Sequence, residues 1–233
     1  MSRRFLPFLA LFSLLLTSPL PLHSLELQAD ALLRSAPPAG LQPLPARLQA
    51  DLQADGSLEA IALDHGRAVI SSAGGPLWES PPDWQVVQAG FADLDRSGLP
   101  EAVLLVWRPF EPWPVDRFLP SGGRIAGFHD RDGASCHILL VGWLSDGIQE
   151  LWAGSAMADP VRAFAAFDLD GDGLQELVTL EGRYAEPRNA PGRAVKVWEW
   201  NGFGFSLVAE MEGTFKTMVP SLAGDGRVLI LVP

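Results

Sequence analysis

Asp168-Leu169-Asp170-Gly171-Asp172-Gly173-Leu174-Gln175-Glu176 places carboxylates at positions 1, 3, 5 and 9 of a nine-residue run, with glycine at position 6. That glycine permits the sharp turn that folds the oxygens toward one point. Four carboxylates converging without a counter-ion repel one another, so the run calls for a hard cation. The Leu174 carbonyl at position 7 would complete an oxygen shell of the size Ca2+ takes, at roughly 2.3–2.6 Å. An EF-hand needs Glu at position 12 and a helix on either side, but position 12 is Thr179, inside the apolar run Leu177-Val178-Thr179-Leu180. The EF-hand reading is therefore excluded.

The pattern recurs. Asp51-Leu52-Gln53-Ala54-Asp55-Gly56-Ser57-Leu58-Glu59 and Asp93-Leu94-Asp95-Arg96-Ser97-Gly98-Leu99-Pro100-Glu101 repeat it, and His129-Asp130-Arg131-Asp132-Gly133 and Gly224-Asp225-Gly226 are degenerate copies. The marker glycines, at 56, 98, 133, 173 and 226, return about every forty residues, the length of one four-stranded propeller blade. Short β-branched and aromatic runs flank them, such as Val161 to Phe167 and Ala102 to Trp107. Asn201-Gly202, Asp146-Gly147 and His65-Gly66 mark hairpin turns. Each unit reads as strand, acidic loop, strand and hairpin, and it can bury its apolar face only against a neighbour. The expected fold class is all-β, a β-propeller of four-stranded blades. About five blades are expected, and four to six fit the same spacing. The last unit, ending in Val228-Leu229-Ile230-Leu231-Val232, is short, so a strand from the N-terminal half is expected to complete it and close the ring.

The three full copies resemble the calcium loops of FG-GAP repeats, also described as VCBS repeats, of integrin α-subunit propellers and many exported bacterial proteins. The resemblance spans about residues 46–233, with the Phe-Gly signature reduced to Gly90-Phe91-Ala92 and Gly127-Phe128. It implies metal ligands Asp168, Asp170, Asp172, the Leu174 carbonyl and Glu176 in the strongest copy. In the second it implies Asp93, Asp95, Ser97, the Leu99 carbonyl and Glu101. In the first it implies Asp51, Gln53, Asp55, the Ser57 carbonyl and Glu59, a set without a charge at position 3. The loops around Gly133 and Gly226 lack acids at positions 1 and 9 and should be metal-free turns. The implied protein is a non-enzymatic binding or adhesion module stiffened by one to three structural Ca2+ ions. Its protein or glycan partner would lie on one rim, where the segments Phe110 to Gly123 and Glu181 to Gly192 are the most exposed loops.

Composition sets the outer limits. The chain has 233 residues, 48% of them hydrophobic, with 17 Lys and Arg against 28 Asp and Glu; its net charge of −11 would repel a polyphosphate, which removes nucleic acid as a partner. The single cysteine, Cys136, can form neither an intramolecular disulfide nor a cysteine-based zinc site. Arg3-Arg4 followed by the apolar stretch Phe5 to Leu16 reads as a secretory signal over residues 1–24, too short to span a bilayer. Residues 25–45, rich in proline, read as a linker with a short amphipathic helix at Leu25 to Ser35, and 46–233 as the propeller. The protein is expected to be secreted or periplasmic, with no membrane span after cleavage; an uncleaved N-terminal anchor is the alternative. A structural envelope component and a polysaccharide-acting enzyme are the rival functions. The tryptophans are expected to pack between blades, with Trp107 and Trp113 as candidates for sugar stacking. Cys136 and His137 suggest a nucleophile and base, yet neighbours in a strand point to opposite faces. No catalytic motif occurs.

Overall fold

The computed structural model describes residues 22–112 and 127–233. Almost all of the expected signal, together with Trp113 and most of the Phe110 to Gly123 loop, lies outside the described residues. Among the described residues there are seventeen strands and no helix, arranged as a four-bladed β-propeller of antiparallel sheets.

Residues 25–45 were expected to link. They are instead sheet. β1 (His23–Gln28), β2 (Ala31–Ser35) and β3 (Gln42–Pro43) all belong to the blade that closes the ring. The helical reading of Leu25, Leu32 and Leu33 fails because the buried set is Leu25, Leu27 and Leu32, a period-two pattern across a turn at Ala29-Asp30. The first blade is β4 (Gln49–Ala50), β5 (Glu59–Asp64), β6 (Arg67–Ser72) and β7 (Gly75–Glu79). The second is β8 (Gln85–Ala92), β9 (Glu101–Pro109), β10 (Ala134–Leu144) and β11 (Gly147–Ala153). The third is β12 (Val161–Phe167), β13 (Glu176–Glu181), β14 (Gly192–Trp200) and β15 (Phe205–Phe215). β16 (Val219–Leu222) and β17 (Val228–Val232) then join the N-terminal strands in the order β2-β1-β17-β16-β3, with His23 opposite Val232 and Leu25 opposite Ile230. The expected closing strand from the N-terminal half is therefore present, and both ends of the domain are sealed into one sheet.

The blade number is four because the Gly133 turn opens no blade. It lies on the connection from β9 to β10, whereas the glycines at 56, 98, 173 and 226 lie on turns between the first and second strands of successive blades. Central strands are apolar on both faces because each sheet is covered on both sides. Along β9, Ala102, Leu104 and Val106 pack toward the first blade with Ile61 and Ile70, while Val103, Leu105 and Trp107 pack toward the third with Phe164 and Leu177. Between the third and closing blades, Val178, Leu180, Val195 and Phe215 meet Leu25, Leu27, Ile230 and Val232.

Polar groups also tie neighbouring blades. The Gln88 side chain on β8 donates to the Phe164 carbonyl on β12 at 2.7 Å and accepts the Phe164 amide at 2.9 Å, imitating a strand where two sheets splay apart. Gln88→Ala leaves both backbone groups unpaired and is expected to cost about 2–3 kcal/mol in urea unfolding. A loss below about 0.5 kcal/mol, the range of surface substitutions away from special features, would show that the clamp contributes nothing.

Candidate metal centre

The acidic runs occupy equivalent turns in three blades: residues 51–58 join β4 to β5, 93–100 join β8 to β9, and 168–175 join β12 to β13. Their backbones fold alike. Position 4 is left-handed at Ala54 (φ 55°), Arg96 (62°) and Gly171 (84°), and position 6 is left-handed at Gly56, Gly98 and Gly173. The position-1 aspartate accepts the position-6 glycine amide in each, at 2.7 Å for Asp51, 3.0 Å for Asp93 and 2.9 Å for Asp168. The position-9 glutamate, first residue of the following strand, reaches back to the position-2 amide: Glu59 to Leu52 at 3.0 Å, Glu101 to Leu94 at 2.6 Å and Glu176 to Leu169 at 2.8 Å. All three glutamates are buried struts, 1% exposed.

What remains after those bonds separates the loops. Asp93, Asp95 and Glu101 bring one oxygen each within 4.8 Å of one another, and so do Asp168, Asp170 and Glu176. Asp93 Oδ1, Glu101 Oε2 and Glu176 Oε1 are buried with no hydrogen-bond partner. A buried carboxylate oxygen without a donor is costly, and a cation is the natural partner for a group of them. Burial, reinforced by the charge of Asp95, pushes the Glu101 carboxyl up to about 8. Burial, with Asp170, Asp172 and Asp168 adding repulsion, pushes Glu176 up to about 7. The first loop differs. Asp51, like Asp168, has both oxygens taken by loop amides, and the Gly56 bond above all holds the Asp51 carboxyl below the usual carboxylate range; what this loop lacks is an unpartnered buried carboxylate oxygen and a third converging acid. Gln53 supplies no charge, so this loop satisfies itself without an ion.

Asp95 and Asp170 each accept the amide two residues on, at 2.9 and 3.1 Å, yet still converge with their neighbours, whereas three further expected ligands make local bonds and stand outside the converging groups. Asp172 Oδ1 accepts the Leu174 amide at 2.7 Å, Asp55 Oδ1 accepts the Ser57 amide at 2.7 Å, and Ser97 Oγ lies 3.3 Å from both the Leu99 carbonyl and its amide. The second and third loops touch: the Asp93 amide donates to Gln175 Oε1 at 2.7 Å. Asp93, Asp95, Glu101, Asp168, Asp170 and Glu176 therefore fit a pair of adjacent hard-cation sites, and Asp51, Gln53, Asp55 and Glu59 do not.

Because strands alternate in direction, the β9–β10 and β13–β14 connections lie on the rim opposite the acidic loops. A cleft of about 380 Å3 opens there at the end of the second blade, against Asp83, Trp84, Arg108, Glu111, Ser135 and His137. Its wall holds a polar relay that sequence reasoning missed. His137 Nδ1 lies 3.0 Å from the Gly154 carbonyl and Nε2 lies 2.7 Å from Ser135 Oγ. A carbonyl only accepts, so Nδ1 carries the proton and Nε2 accepts the hydrogen bond that the Ser135 hydroxyl donates. Burial, helped by the Arg108 charge, pushes the imidazole down to about 4, and it stays neutral. The period-two rule that separates Cys136 from His137 also puts Ser135 on the histidine's own face, which is the signal that could have found the pair. Cys136 is buried and free, its thiol pushed up to about 12 by burial. Trp107 is 4% exposed, beneath the Arg188 guanidinium at 4.0 Å and edge-on to Tyr184, so it offers no face to a sugar. No protein-family model and no curated protein matches the chain.

Proposed function

We propose that the chain is an exported, non-enzymatic binding module of the FG-GAP type, secreted or periplasmic, stiffened by two calcium ions. One observation carries the metal part of this reading: buried, unpartnered carboxylate oxygens recur in the same turn of two successive blades, and are missing from the blade whose loop has Gln53 at position 3. Bound calcium would neutralise the repelling carboxylates. Asp93, Asp95 and Glu101 would hold one ion, and Asp168, Asp170 and Glu176 the other. The chain's own part is to fix the turn that sets the first strand of a blade against the second, leaving the opposite rim free to meet a protein or glycan partner. Calorimetric titration of the metal-free protein is expected to give two calcium ions per chain, one after Glu176→Gln, and still two after Asp51→Asn. A count of zero, or a count that drops with Asp51, removes the metal part. Loss of partner capture after substitutions in the Glu181 to Gly192 loop, with unchanged melting, tests the binding rim.

A further inference from the structure

The cleft on the rim away from the acidic loops has a balance of charges that selects its occupant. Arg108 is the cation on its wall, and among the described residues no carboxylate pairs with it. Its Nη2 lies 3.5 Å from His137 Nδ1, itself a donor in the tautomer fixed by Gly154, so no hydrogen bond forms between them. Asp83 and Glu111 also face the cleft, and neither pairs with a cation among the described residues. Ser135 directs its hydroxyl hydrogen at His137 Nε2, so it offers the cleft only lone pairs. Trp84, whose ring Arg108 approaches to 5.9 Å, closes one side.

Among the described residues, the lining is thus one planar donor fork, several acceptors, two negative charges and no other full charge, in about 380 Å3. That volume is at the small end of ligand pockets. A simple anion would meet two carboxylates, and a simple cation would meet the guanidinium. A molecule carrying both charges satisfies every group. We propose that this cleft binds a free amino acid as its zwitterion, with the α-carboxylate on the Arg108 fork and the ammonium held by Asp83 and Glu111, the Ser135 oxygen accepting beside them. The Ser135-His137-Gly154 relay positions that oxygen and, being neutral, leaves the charge balance untouched. This goes beyond the proposed function and holds whether or not the acidic loops take calcium.

The test is titration of the whole domain, in calcium and in chelator, with each of the twenty standard amino acids, and with acetate and methylammonium as single-charge probes. At least one amino acid is expected to bind at micromolar to millimolar concentration, and both single-charge probes at least about tenfold more weakly. Arg108→Gln should weaken binding roughly ten- to a hundredfold with unchanged melting, since a charge-assisted pair is lost. Should that variant melt early, Ala153→Phe fills the cleft from an exposed position and is expected to abolish binding in a stable fold. Acetate binding as tightly as the best amino acid, no amino acid binding below 10 mM, or full affinity in Arg108→Gln or Ala153→Phe would each overturn the proposal.

Discussion

Calcium at about a hundredfold excess over its dissociation constant should stabilise the metal-free protein by about 2.7 kcal/mol per occupied loop, or roughly 5–10 °C in melting temperature for a domain of this size. The size of the effect follows from what the metal-free loops contain. Glu101 and Glu176 are buried against neighbouring aspartates, so their carboxyls are raised to about 8 and about 7 from an ordinary value of 4.5. Between about pH 4.5 and pH 8 the folded chain holds protons there that the unfolded chain has released. Its stability without metal therefore falls as pH rises through that window. Calcium reverses the trend, because it must displace those protons and binds more tightly as they leave. The gap between melting curves in calcium and in chelator is expected to widen from pH 6 to pH 9. Glu101→Gln keeps an oxygen for the Leu94 amide and resembles the protonated side chain, so metal-free melting should hold steady while one loop's increment disappears. The increments need not add, since the Asp93 amide bonds Gln175 across the two loops. An increment that survives in a Glu101→Gln, Glu176→Gln double variant would mean that calcium acts somewhere else.

The acidic loops were legible because their chemistry is local. Nine residues carry the left-handed glycine, the converging carboxylates and the start of the following strand, and the backbone torsions repeat even where Ala54 or Arg96 occupies a position better suited to glycine. Counting blades from the same signal was less secure, because an Asp-Gly turn serves wherever a chain must reverse tightly. Asp130 Oδ1 caps the amides of Asp132 and Ala134 on the β9–β10 connection much as Asp51 caps its own loop, while its other oxygen takes Arg188. Composition within the turn does not say which connection it serves. The N-terminal strands were hidden for the opposite reason. Prolines at 37, 38, 43 and 45 suggest a linker, and the strand that pairs with His23 to Leu25 and anchors the β1–β2 hairpin in the sheet lies about two hundred residues away in β17. Only the missing strand of the last unit hinted at it. The polar relay was within reach of strand periodicity, but a serine and a histidine two apart match no motif.

Removing residues 1–28, and with them β1, is expected to unfold the domain. Leu25 is fully buried and Leu27 nearly so, both in the cluster shared with Val178, Phe215 and Ile230. Emptying two such sites costs about 2–5 kcal/mol each, which rivals the 5–15 kcal/mol stability of an ordinary domain. The deletion also strips β17 of one of its two partners, leaving only β16, and exposes an apolar edge, Val228 to Val232, to other chains. The Glu26 to Arg227 ion pair, at 2.6 Å and largely exposed, adds little to this total. Circular dichroism should show no cooperative melting for the deletion, whereas Leu25→Ala alone should lower the midpoint by roughly 6–12 °C for a cost of about 3 kcal/mol. A chain shortened only through Leu22 should melt like the full one, because the strand begins at His23. The same geometry constrains export. Ser24 is 1% exposed, and its Oγ lies 2.9 Å from Ser35 Oγ across the β1–β2 pair, so a cut after Ser24 would take two residues out of the closing sheet. On the proposed export, a cleaved chain is therefore expected to begin at or before His23, ahead of the expected signal boundary at residue 24. Intact mass of the exported chain decides this: a start at Leu25 with unchanged melting would show that the first turn of β1 holds nothing together.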